Sequence, residues 1–346
     1  MTALGPIAVK RVDFTCSACG VGRHPADAPL GIDGHLTHRA IRLVCLAGGQ
    51  RSFANAAMLL KELCGWRIGD ELARRICHAE ADRIAAWRAD PPASAGPPIP
   101  PTEFQIDAAK ANAFGGWRDR KIGVFARRWC GSPAFPDRWD RRAVPKPTKR
   151  LAFAAIEEID AFAPRWGVWA ERLGLKSFER LSVFADGAEW IWNAADERFP
   201  GHRGTLDFFH AGEHSAAAAA TLFGEGSAET RAWYRAARKA LLEDGWYGIQ
   251  EHIGRTVCGA GSDAGRTAID KLLAYLANHS HRLNYRHRLA CGEPIGSGLI
   301  EGACKQVIGK RMKQTGARWT VANANRMAEL CCLTHSDQWA EYWLAA

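Results

Sequence analysis

A proline-rich segment divides the chain into two parts with different residue patterns. Residues 91–101 read PPASAGPPIPP, in which six of eleven positions are proline. Because proline has a fixed φ and no backbone N–H, such a segment forms an extended spacer and not a packed helix or strand. We therefore predict a mainly helical region over residues 1–90, a linker over 91–101, and a larger domain over 102–346.

Residues 1–90 carry patterns that are typical of helices. Apolar residues recur at helical spacing in SFANAAMLLKELCGW, which begins at Ser52, and again in IGDELARRICHAEADRIAAW. Ser52 and Asp70 are candidate N-caps, and Gly65 can end the first helix. Two helices joined by a short glycine-containing turn are compatible with a DNA-binding helix-turn-helix, although a plain helical bundle fits the same pattern.

Beyond the linker the pattern changes to one that is typical of strands. Apolar runs predict strands at residues 102–113, 117–129, 150–156, 180–192 (running into a turn or a helix) and 204–210. The glycine pair at 115 and 116 predicts that the first two strands form a hairpin. A mainly helical stretch over about 211–290 is interpreted as an insertion, and the segment IGSGLIEGACKQVIGKRMK predicts a closing helix that follows a Gly-Ser-Gly turn. These elements favour a mixed α/β domain.

Three acids occupy positions where they could perform chemistry. Asp107 lies within the apolar run FQIDAA, Asp186 ends the run LSVFA and precedes a glycine, and Glu301 lies one turn into the closing helix. Burying a carboxylate is costly unless it is paired or holds a metal. Each acid alone is more often a turn or structural residue, but together they can hold two Mg²⁺ (or Mn²⁺) ions. Two such ions can activate the attacking oxygen and stabilise the leaving one in phosphodiester displacement.

Several blocks around these acids resemble the core of the Kra-type insertion-sequence transposases. They are residues 186–193 (DGAEWIWN), 206–214 (LDFFHAGEH), 295–305 (IGSGLIEGACK), 311–319 (RMKQTGARW) and 339–343 (WAEYW). The likeness covers most of residues 100–346, and residues 29–87 are similar more loosely. These transposases look related to the Mutator-like transposases, whose catalytic domain has an RNase H-like fold with a DDE triad. The resemblance implies an RNase H-like core, a mixed sheet flanked by helices, with a helical insertion and a small helical N-terminal domain.

The resemblance also implies roles for individual residues. The three catalytic, metal-binding acids fall on Asp107, Asp186 and Glu301. The motif around Asp107 is short, and three other acids compete for the first position from polar, Pro- and Arg-rich surroundings: Asp119, Asp137 and Asp140. In related transposases an Asp or Cys is followed three positions later by His. Asp207 and His210 match that pair, which supports the active site or contacts the DNA end.

Basic residues after Glu301 indicate contact with the DNA backbone. The closing segment carries Lys305, Lys310, Arg311, Lys313 and Arg318, with no acid from there to residue 327. One helix could therefore direct its acid to the metals and a basic face to phosphates. The chain has a formal net charge of +9, and residues 118–150 contain eleven Lys or Arg against three Asp, a balance that favours a polyanionic partner.

The expected function is that of a transposase. It would bind the terminal repeats of an insertion sequence, hydrolyse the phosphodiester at the element's end, and join the freed 3′-hydroxyl to target DNA. By the same resemblance it would act on double-stranded DNA as a homo-oligomer. Alternatives are an RNase H-like nuclease without strand transfer and a non-catalytic, transposon-derived DNA-binding protein; a carboxylate-pair glycosidase suits the basic tracts less well.

Cysteine and histidine patterns allow metal sites of other kinds. Cys16 and Cys19 form one CxxC pair, but a zinc ribbon needs a second pair. Cys45 could begin such a pair, but its second cysteine is missing because residue 48 is glycine. Zn²⁺ would need a nearby histidine from 24, 35 or 38, so a simple turn is preferred. His210 and His214 flank Glu213 in an H-x-x-E-H order found in some zinc proteases, for which the surrounding blocks argue poorly.

Tryptophans and hydropathy complete the expectations. Trp190 and Trp192 follow Asp186 closely, and packing in the core is preferred for them over stacking on an unpaired base. The eleven cysteines are scattered, which favours reduced thiols. No stretch approaches the ~20 apolar residues that span a bilayer, and the first residues lack the apolar run of a signal peptide. A cytoplasmic protein without membrane contact is expected.

Overall fold

The computed structural model describes residues 1–89, 102–175, 177–257 and 262–345. The predicted linker at 91–101 lies outside the described residues. No helix in the described ranges is long and apolar enough to cross a membrane. The N-terminal elements are strands β1 (Phe14–Thr15), β2 (Gly22–Arg23), β3 (Ile32–Asp33) and β4 (Leu36–Thr37), and helices α1 (His38–Gln50), α2 (Phe53–Cys64) and α3 (Asp70–Ala89).

The remaining elements contain the sheet, the helical layer beside it and the closing helices. The strands and the helices between them are β5 (Thr102–Ala113), β6 (Gly116–Arg127), a 3₁₀ turn (Pro136–Arg141), β7 (Lys149–Ala155), α4 (Ile159–Phe162), α5 (Pro164–Arg172), β8 (Leu181–Ala185), α6 (Glu189–Arg198) and β9 (Arg203–Leu206). The helices that follow are α7 (Phe208–Phe223), α8 (Ala228–Val257), α9 (Asp263–Asn278), a 3₁₀ turn (Ser280–Arg282) and α10 (Tyr285–Ala290). The closing elements are α11 (Gly298–Ala303), a π-helical segment (Cys304–Gly309), α12 (Lys310–Met312), α13 (Val321–His335) and α14 (Trp339–Ala345).

The central sheet is mixed and has five strands in the order β7-β6-β5-β8-β9. Strands β5, β6 and β7 are antiparallel neighbours, whereas β8 runs parallel to β5 and β9 parallel to β8. The hairpin of β5 and β6 closes at the pair Ala113 and Gly116. Gly115 and Gly116 have φ values of 90° and 116°, which favour glycine. The predicted α/β class and the predicted hairpin are confirmed.

The strand predicted at 204–210 is shorter than expected. It ends at Leu206, and α7 begins at Phe208 because Asp207 caps that helix. Asp207 Oδ1 accepts hydrogen bonds from the backbone N–H groups of Phe209 (2.6 Å) and His210 (2.8 Å). An aspartate in this position satisfies amides that the helix itself leaves unpaired. The helical layer therefore starts before residue 211.

Helices cover both faces of the sheet. On one face, α5 and α6 bury an aromatic core in which Phe104, Phe125 and Phe153 from the sheet pack with Trp166 of α5. On the other face, residues of β6 and β7 share a core with the closing helices. A separate core joins α7, α8, α9 and α10 beside β9. Helix α8 is kinked at Gly245, whose φ of 55° and ψ of −123° are not helical.

The N-terminal helices belong to the same core as the closing helices. Helices α1 and α3 pack against α13, and α3 also contacts α1 and α2. Ser52 caps α2 and Gly65 ends it, as the sequence predicts. The thiol of Cys331 on α13 donates to the carbonyl of Gly49, and Cys45 of α1 is fully buried. The helices of the predicted N-terminal region therefore share a hydrophobic core with the closing helices.

Candidate active site

Asp107 and Asp186 lie side by side at the ends of parallel strands. The register of β5 with β8 runs from Thr102 opposite Leu181 to Gln105 opposite Phe184. Two positions further along this register, Asp107 is level with Asp186, the first residue after β8. The strands place the two carboxylates together because both come from apolar runs of the same parallel pair. Sequence reasoning predicted both residues, and the sheet brings them together.

The charges of these two acids oppose each other. Burial is the main cause that raises the pKa of Asp107, and the negative charge of Asp186 raises it further. The N–H of Ala108, the thiol of Cys304 and the ring of His210 act against this shift. Among the described residues, no Lys or Arg forms a salt bridge with either acid. The pair therefore forms a spot of uncompensated negative charge at this end of the sheet.

Gln105 fixes the helix that carries Glu301. The side chain of Gln105 is buried, and its Oε1 accepts hydrogen bonds from the backbone N–H groups of Leu299 and Ile300, both at 3.0 Å. Gln105 and Asp107 project from the same face of β5, because residues two apart on a strand share a face. The first amides of α11 are thus satisfied by the strand that bears the first acid. Sequence reasoning missed Gln105, although a polar residue beside Asp107 in an apolar run was a usable signal.

Asp207 holds the turn before α11 from the other side. Besides capping α7, its Oδ2 accepts from the backbone N–H of Ser297 at 2.5 Å and from the Ser297 hydroxyl. Asp207 is 3% exposed, so these four donors occupy a buried carboxylate. A Cβ on Gly296 would lie 2.8 Å from the ring of Phe209, which requires glycine in this turn. Asp207 therefore supports the site by position and does not face solvent.

Glu301 lies on α11, the helix that Gln105 and Asp207 hold, and its side chain points to solvent. Cys304, one turn further along the helical segment, places its Sγ 3.7 Å from Asp107 Oδ2. The Glu301 side chain is 49% exposed and its Oε2 lies 3.5 Å from Lys305 Nζ. In the described parts of the chain, no group of three His, Cys, Asp or Glu side chains is arranged to hold a metal. The fold brings the helix of the third acid to the pair but leaves its carboxylate turned outward.

A group of rings from the helical layer surrounds the acid pair. His214 on α7 stacks on Tyr275 of α9 at 4.0 Å between ring centroids, and His210 meets His214 edge to face at 5.0 Å. Burial lowers the pKa of His214, the nearby His210 lowers it further, and Glu213 and Asp186 oppose the shift. Sequence reasoning predicted His210 but missed Tyr275, which no local motif distinguishes.

Tyr275 also packs directly on the glycine after Asp186. A Cβ built on Gly187 would lie 2.2 Å from Tyr275 Cε2. The indole N–H of Trp192 donates to the carbonyl of Asp186 at 2.7 Å. Trp192 is 2% exposed, and the guanidinium of Arg282 lies 4.1 Å from its ring centre. Trp192 therefore packs in the core as the sequence predicts, and it holds the backbone of the second acid.

The basic residues after Glu301 do not all lie on one surface. Lys305, Lys310, Lys313 and Arg318 are exposed. Arg311, predicted to contact DNA with them, is 2% exposed. Its Nε donates to the carbonyl of Gly48 at 2.6 Å, and its guanidinium lies over the rings of Phe53 and Trp319. Arg311 therefore joins the closing segment to α1, beside the buried Met312.

The competing first acids lie away from Asp186. Asp119 pairs with Lys110 on the hairpin, at 2.8 Å between Oδ1 and Nζ. Asp137 and Asp140 belong to the 3₁₀ turn Pro136–Arg141. None of the three occupies the strand position that faces the second acid. Their surroundings match the solvated roles that the sequence indicates.

The CxxC pair forms the turn of a small hairpin. Cys16 and Cys19 are both exposed between β1 and β2, and the Gly20 N–H donates to the Cys16 carbonyl at 2.8 Å. Hydrogen bonds from the backbone at Cys19 and Ala18 lower the pKa of Cys16. The described residues offer no third ligand grouped with them. Cys16 and Cys19 therefore lie in the backbone turn that joins β1 and β2.

Comparisons with known proteins do not assign the chain to a family. No model of a protein family matches the sequence, and no curated protein matches it either. What the site does has to follow from the acids, the contacts that position them and the resemblance of the sequence blocks.

Proposed function

We propose that this chain is a DDE-type DNA transposase whose catalytic acids are Asp107, Asp186 and Glu301. The observation that carries the proposal is the level placement of Asp107 and Asp186 on neighbouring parallel strands without a neutralising Lys or Arg in the described parts of the chain. Two adjacent carboxylates with no cationic partner repel each other, and a bound cation relieves that repulsion. The sequence blocks that resemble transposases surround these same residues.

The sheet supports an RNase H-like core for this proposal. Three antiparallel strands are extended by two parallel ones, and helices cover both faces. This arrangement is compatible with the RNase H-like fold that the sequence blocks imply. Because one fold can host many functions, the weight of the proposal rests on the acids and not on the sheet.

The donor set suits a hard divalent cation. Asp107 and Asp186 offer carboxylate oxygens, and the exposed side chain of Glu301 is held by a long 3.5 Å contact with Lys305. Mg²⁺ prefers oxygen ligands of this kind and keeps several waters. When bound, Mg²⁺ or Mn²⁺ would supply activation of a water and stabilisation of the departing oxygen. Asp107, Asp186 and Glu301 would hold the ions.

The other residues of the site position DNA and the third acid. Gln105 and Asp207 hold the backbone at the start of α11, which keeps the helix of Glu301 beside β5. Lys305 and Lys313 are exposed on the same closing segment, where they neutralise DNA phosphates. In the first step a water attacks the phosphorus at the element's end and the 3′-oxygen leaves as a hydroxyl. That hydroxyl then attacks a target phosphodiester and displaces the target's own 3′-oxygen.

Double-stranded DNA is the substrate under this proposal, and paired ends require more than one copy of the chain. A nuclease without strand transfer shares the first step but not the second. A non-catalytic DNA-binding derivative shares neither. Cleavage and joining therefore have to be measured separately.

The test uses labelled duplexes that carry the ends of the source element, incubated with a target plasmid in Mg²⁺ or Mn²⁺. We expect metal-dependent nicking at the ends and joined products with the unmodified chain. Asp186→Asn and Glu301→Gln should remove both while leaving DNA affinity nearly unchanged. Asp137→Asn is the matched control, because that acid is exposed and lies in the 3₁₀ turn.

Full cleavage by either active-site variant would overturn the proposal. Nicking without joined products would assign the chain to the nucleases. Specific binding without any cutting, in the presence of either metal, would make it a non-catalytic derivative.

A further inference from the structure

The tip of the β5–β6 hairpin exposes two large aromatic side chains. Phe114 is 60% exposed and Trp117 is 62% exposed, on either side of the glycine pair. We call residues 113–118 the hairpin tip. Exposed aromatic rings close together indicate a binding surface more often than a solvated turn, where polar residues are usual.

A loop from the closing segment braces the hairpin tip. The backbone N–H of Phe114 donates to the carbonyl of Trp319 at 2.8 Å, and the Trp319 N–H donates to the carbonyl of Asn112 at 3.1 Å. The Asn112 amide also donates to the carbonyl of Ala317 at 3.2 Å. Trp319 is 8% exposed and anchors this loop in the core. The rings at the tip are therefore presented from a fixed backbone.

Positive charge surrounds the two rings. The guanidinium of Arg318 lies 5.7 Å from the ring centre of Phe114. Arg118 is exposed on the tip itself, and Lys313 is exposed where the bracing loop begins. Aromatic faces next to arginines are the combination with which proteins bind unpaired nucleotides, because bases stack on the rings and phosphates meet the cations.

The hairpin tip lies beyond the acid pair, at the end of the sheet where β8 ends. Strand β5 continues past the end of β8 and leads from Asp107 to Phe114 over seven residues. At ~3.3 Å per residue this is at most about 23 Å. Even at the short rise of a duplex strand, ~3.4 Å per nucleotide, this distance corresponds to at most about seven nucleotides. Lys305 and Lys310 are exposed on the closing segment that connects the two places.

We propose that the hairpin tip binds single-stranded DNA by stacking Phe114 and Trp117 on an unpaired base within about seven nucleotides of the bond that is cut. This inference rests on the proposed function for its substrate. Paired bases cannot present their faces to the rings, so the site selects a strand that is already open. A protein partner fits poorly, because a stable protein interface needs ~800 Å² from each side and two rings provide far less.

The experiment measures binding of two DNA probes by fluorescence anisotropy in EDTA, so that no cleavage takes place. One probe is a blunt duplex, and the other is the same duplex with an eight-nucleotide unpaired overhang. We expect the full chain to bind the overhang probe more tightly. Phe114→Ala and Trp117→Ala should each weaken overhang binding by about tenfold and leave blunt-duplex binding unchanged. Trp117→Phe, which keeps a stacking ring, should restore most of the loss.

The matched control is Tyr247→Ala. Tyr247 is 78% exposed on α8 and is an aromatic ring of similar size away from the hairpin. Its removal should change neither affinity. A second readout is photocrosslinking from iodouracil placed at successive overhang positions. Crosslinks should concentrate at one or two of these positions and disappear in Trp117→Ala.

Four other results have distinct consequences for the inference and for the proposed function. Unchanged overhang binding in both alanine variants overturns the stacking surface alone. Equal weakening for both probes also overturns it, because the tip would then contact only the backbone. Failure of the unmodified chain to bind either probe overturns the surface and the proposed function together. Cleavage that survives Glu301→Gln removes the proposed catalytic site but leaves a positive overhang result standing.

Discussion

The side-chain oxygen of Gln105 lies 3.0 Å from the backbone nitrogen of Leu299, which joins the strand of the first acid to the helix of the third. Gln105 comes two positions before Asp107, and Leu299 two positions before Glu301. Two residues of strand therefore connect this contact to Asp107, and two residues of helix connect it to Glu301. This contact fixes the start of the Glu301 helix against the strand of Asp107.

Replacing Gln105 should therefore impair catalysis more than DNA binding. In Gln105→Ala the N–H groups of Leu299 and Ile300 lose their acceptor, which we expect to cost about 1–3 kcal/mol of unfolding free energy. At temperatures where the variant is folded, cleavage should still fall at least tenfold, with DNA affinity within about twofold. Gln338→Ala is the control, since Gln338 is also buried but lies beside α14. Equal losses of cleavage in both variants would assign Gln105 a purely structural role.

The pKa of Asp107 makes stability depend on pH in a defined direction. Burial and the charge of Asp186 raise this pKa in the folded chain, so the folded state holds the proton more tightly than the unfolded state does. The stability of the metal-free protein should then fall as pH rises through the folded-state pKa and recover as pH is lowered toward the unfolded value. Asp107→Asn should remove this slope and raise Tm at neutral pH by a few degrees.

Adding metal should reverse the order of Tm between the unmodified chain and Asp107→Asn. Adding Mg²⁺ at neutral pH should raise the Tm of the unmodified chain, because binding to the folded state stabilises it. Asp107→Asn should respond weakly or not at all. Thermal unfolding followed by circular dichroism, with and without EDTA, measures both effects. A steeper loss of stability toward acid in the unmodified chain than in the variant would contradict burial and the charge of Asp186 as the origin of the raised pKa.

Local patterns were sufficient for much of the sheet. The apolar runs of β5, β6, β7 and β8 and the glycine pair at the hairpin specify strands by burial and turn geometry, which are properties of neighbouring residues. They also placed Asp107 and Asp186 at strand positions that the parallel register brings level. The segment at 204–210 was misread because Asp207 changes the local structure from strand to helix within one residue.

Contacts between distant segments were not accessible in the same way. Tyr275 reaches Gly187 only because α9 packs across the end of β8, and nothing around residue 275 indicates that partner. The proline segment indicated a boundary after the N-terminal helices, but it did not indicate that the apolar faces of α1 and α3 pack against α13. Spacing did not place Arg311 either, because it follows the buried Ile308 by three positions whereas Lys310 follows the buried Val307 by three and is exposed.

Substitution of Arg311 should lower stability, whereas substitution of its lysine neighbours should weaken DNA binding. Arg311→Ala removes the bond to the Gly48 carbonyl and the contacts with Phe53 and Trp319, and we expect it to cost about 2 kcal/mol of unfolding free energy. Lys310→Ala and Lys313→Ala, which alter exposed residues, should leave Tm nearly unchanged. Each should weaken duplex binding at low salt and reduce the salt dependence of affinity by about one unit. Urea unfolding and salt titrations distinguish the two classes, and an Arg311→Ala protein of normal stability would contradict its structural role.

Gly187 offers the most direct test of how the second acid is held. A methyl group there would lie 2.2 Å from Tyr275 Cε2, so Gly187→Ala has to displace either the ring or the backbone of Asp186. Because the Asp186 carbonyl also accepts from Trp192, a displaced backbone would disturb how the second acid is held, and we expect cleavage to fall by about a hundredfold. Gly167→Ala, in α5 with open space around its Cβ, should have no such effect. The double variant Gly187→Ala with Tyr275→Ala relieves the clash and should recover part of the activity that Gly187→Ala loses. If the double variant is no more active than Gly187→Ala alone, the contact with Tyr275 is not what positions Asp186, and the effect of the methyl group has to arise within the turn itself.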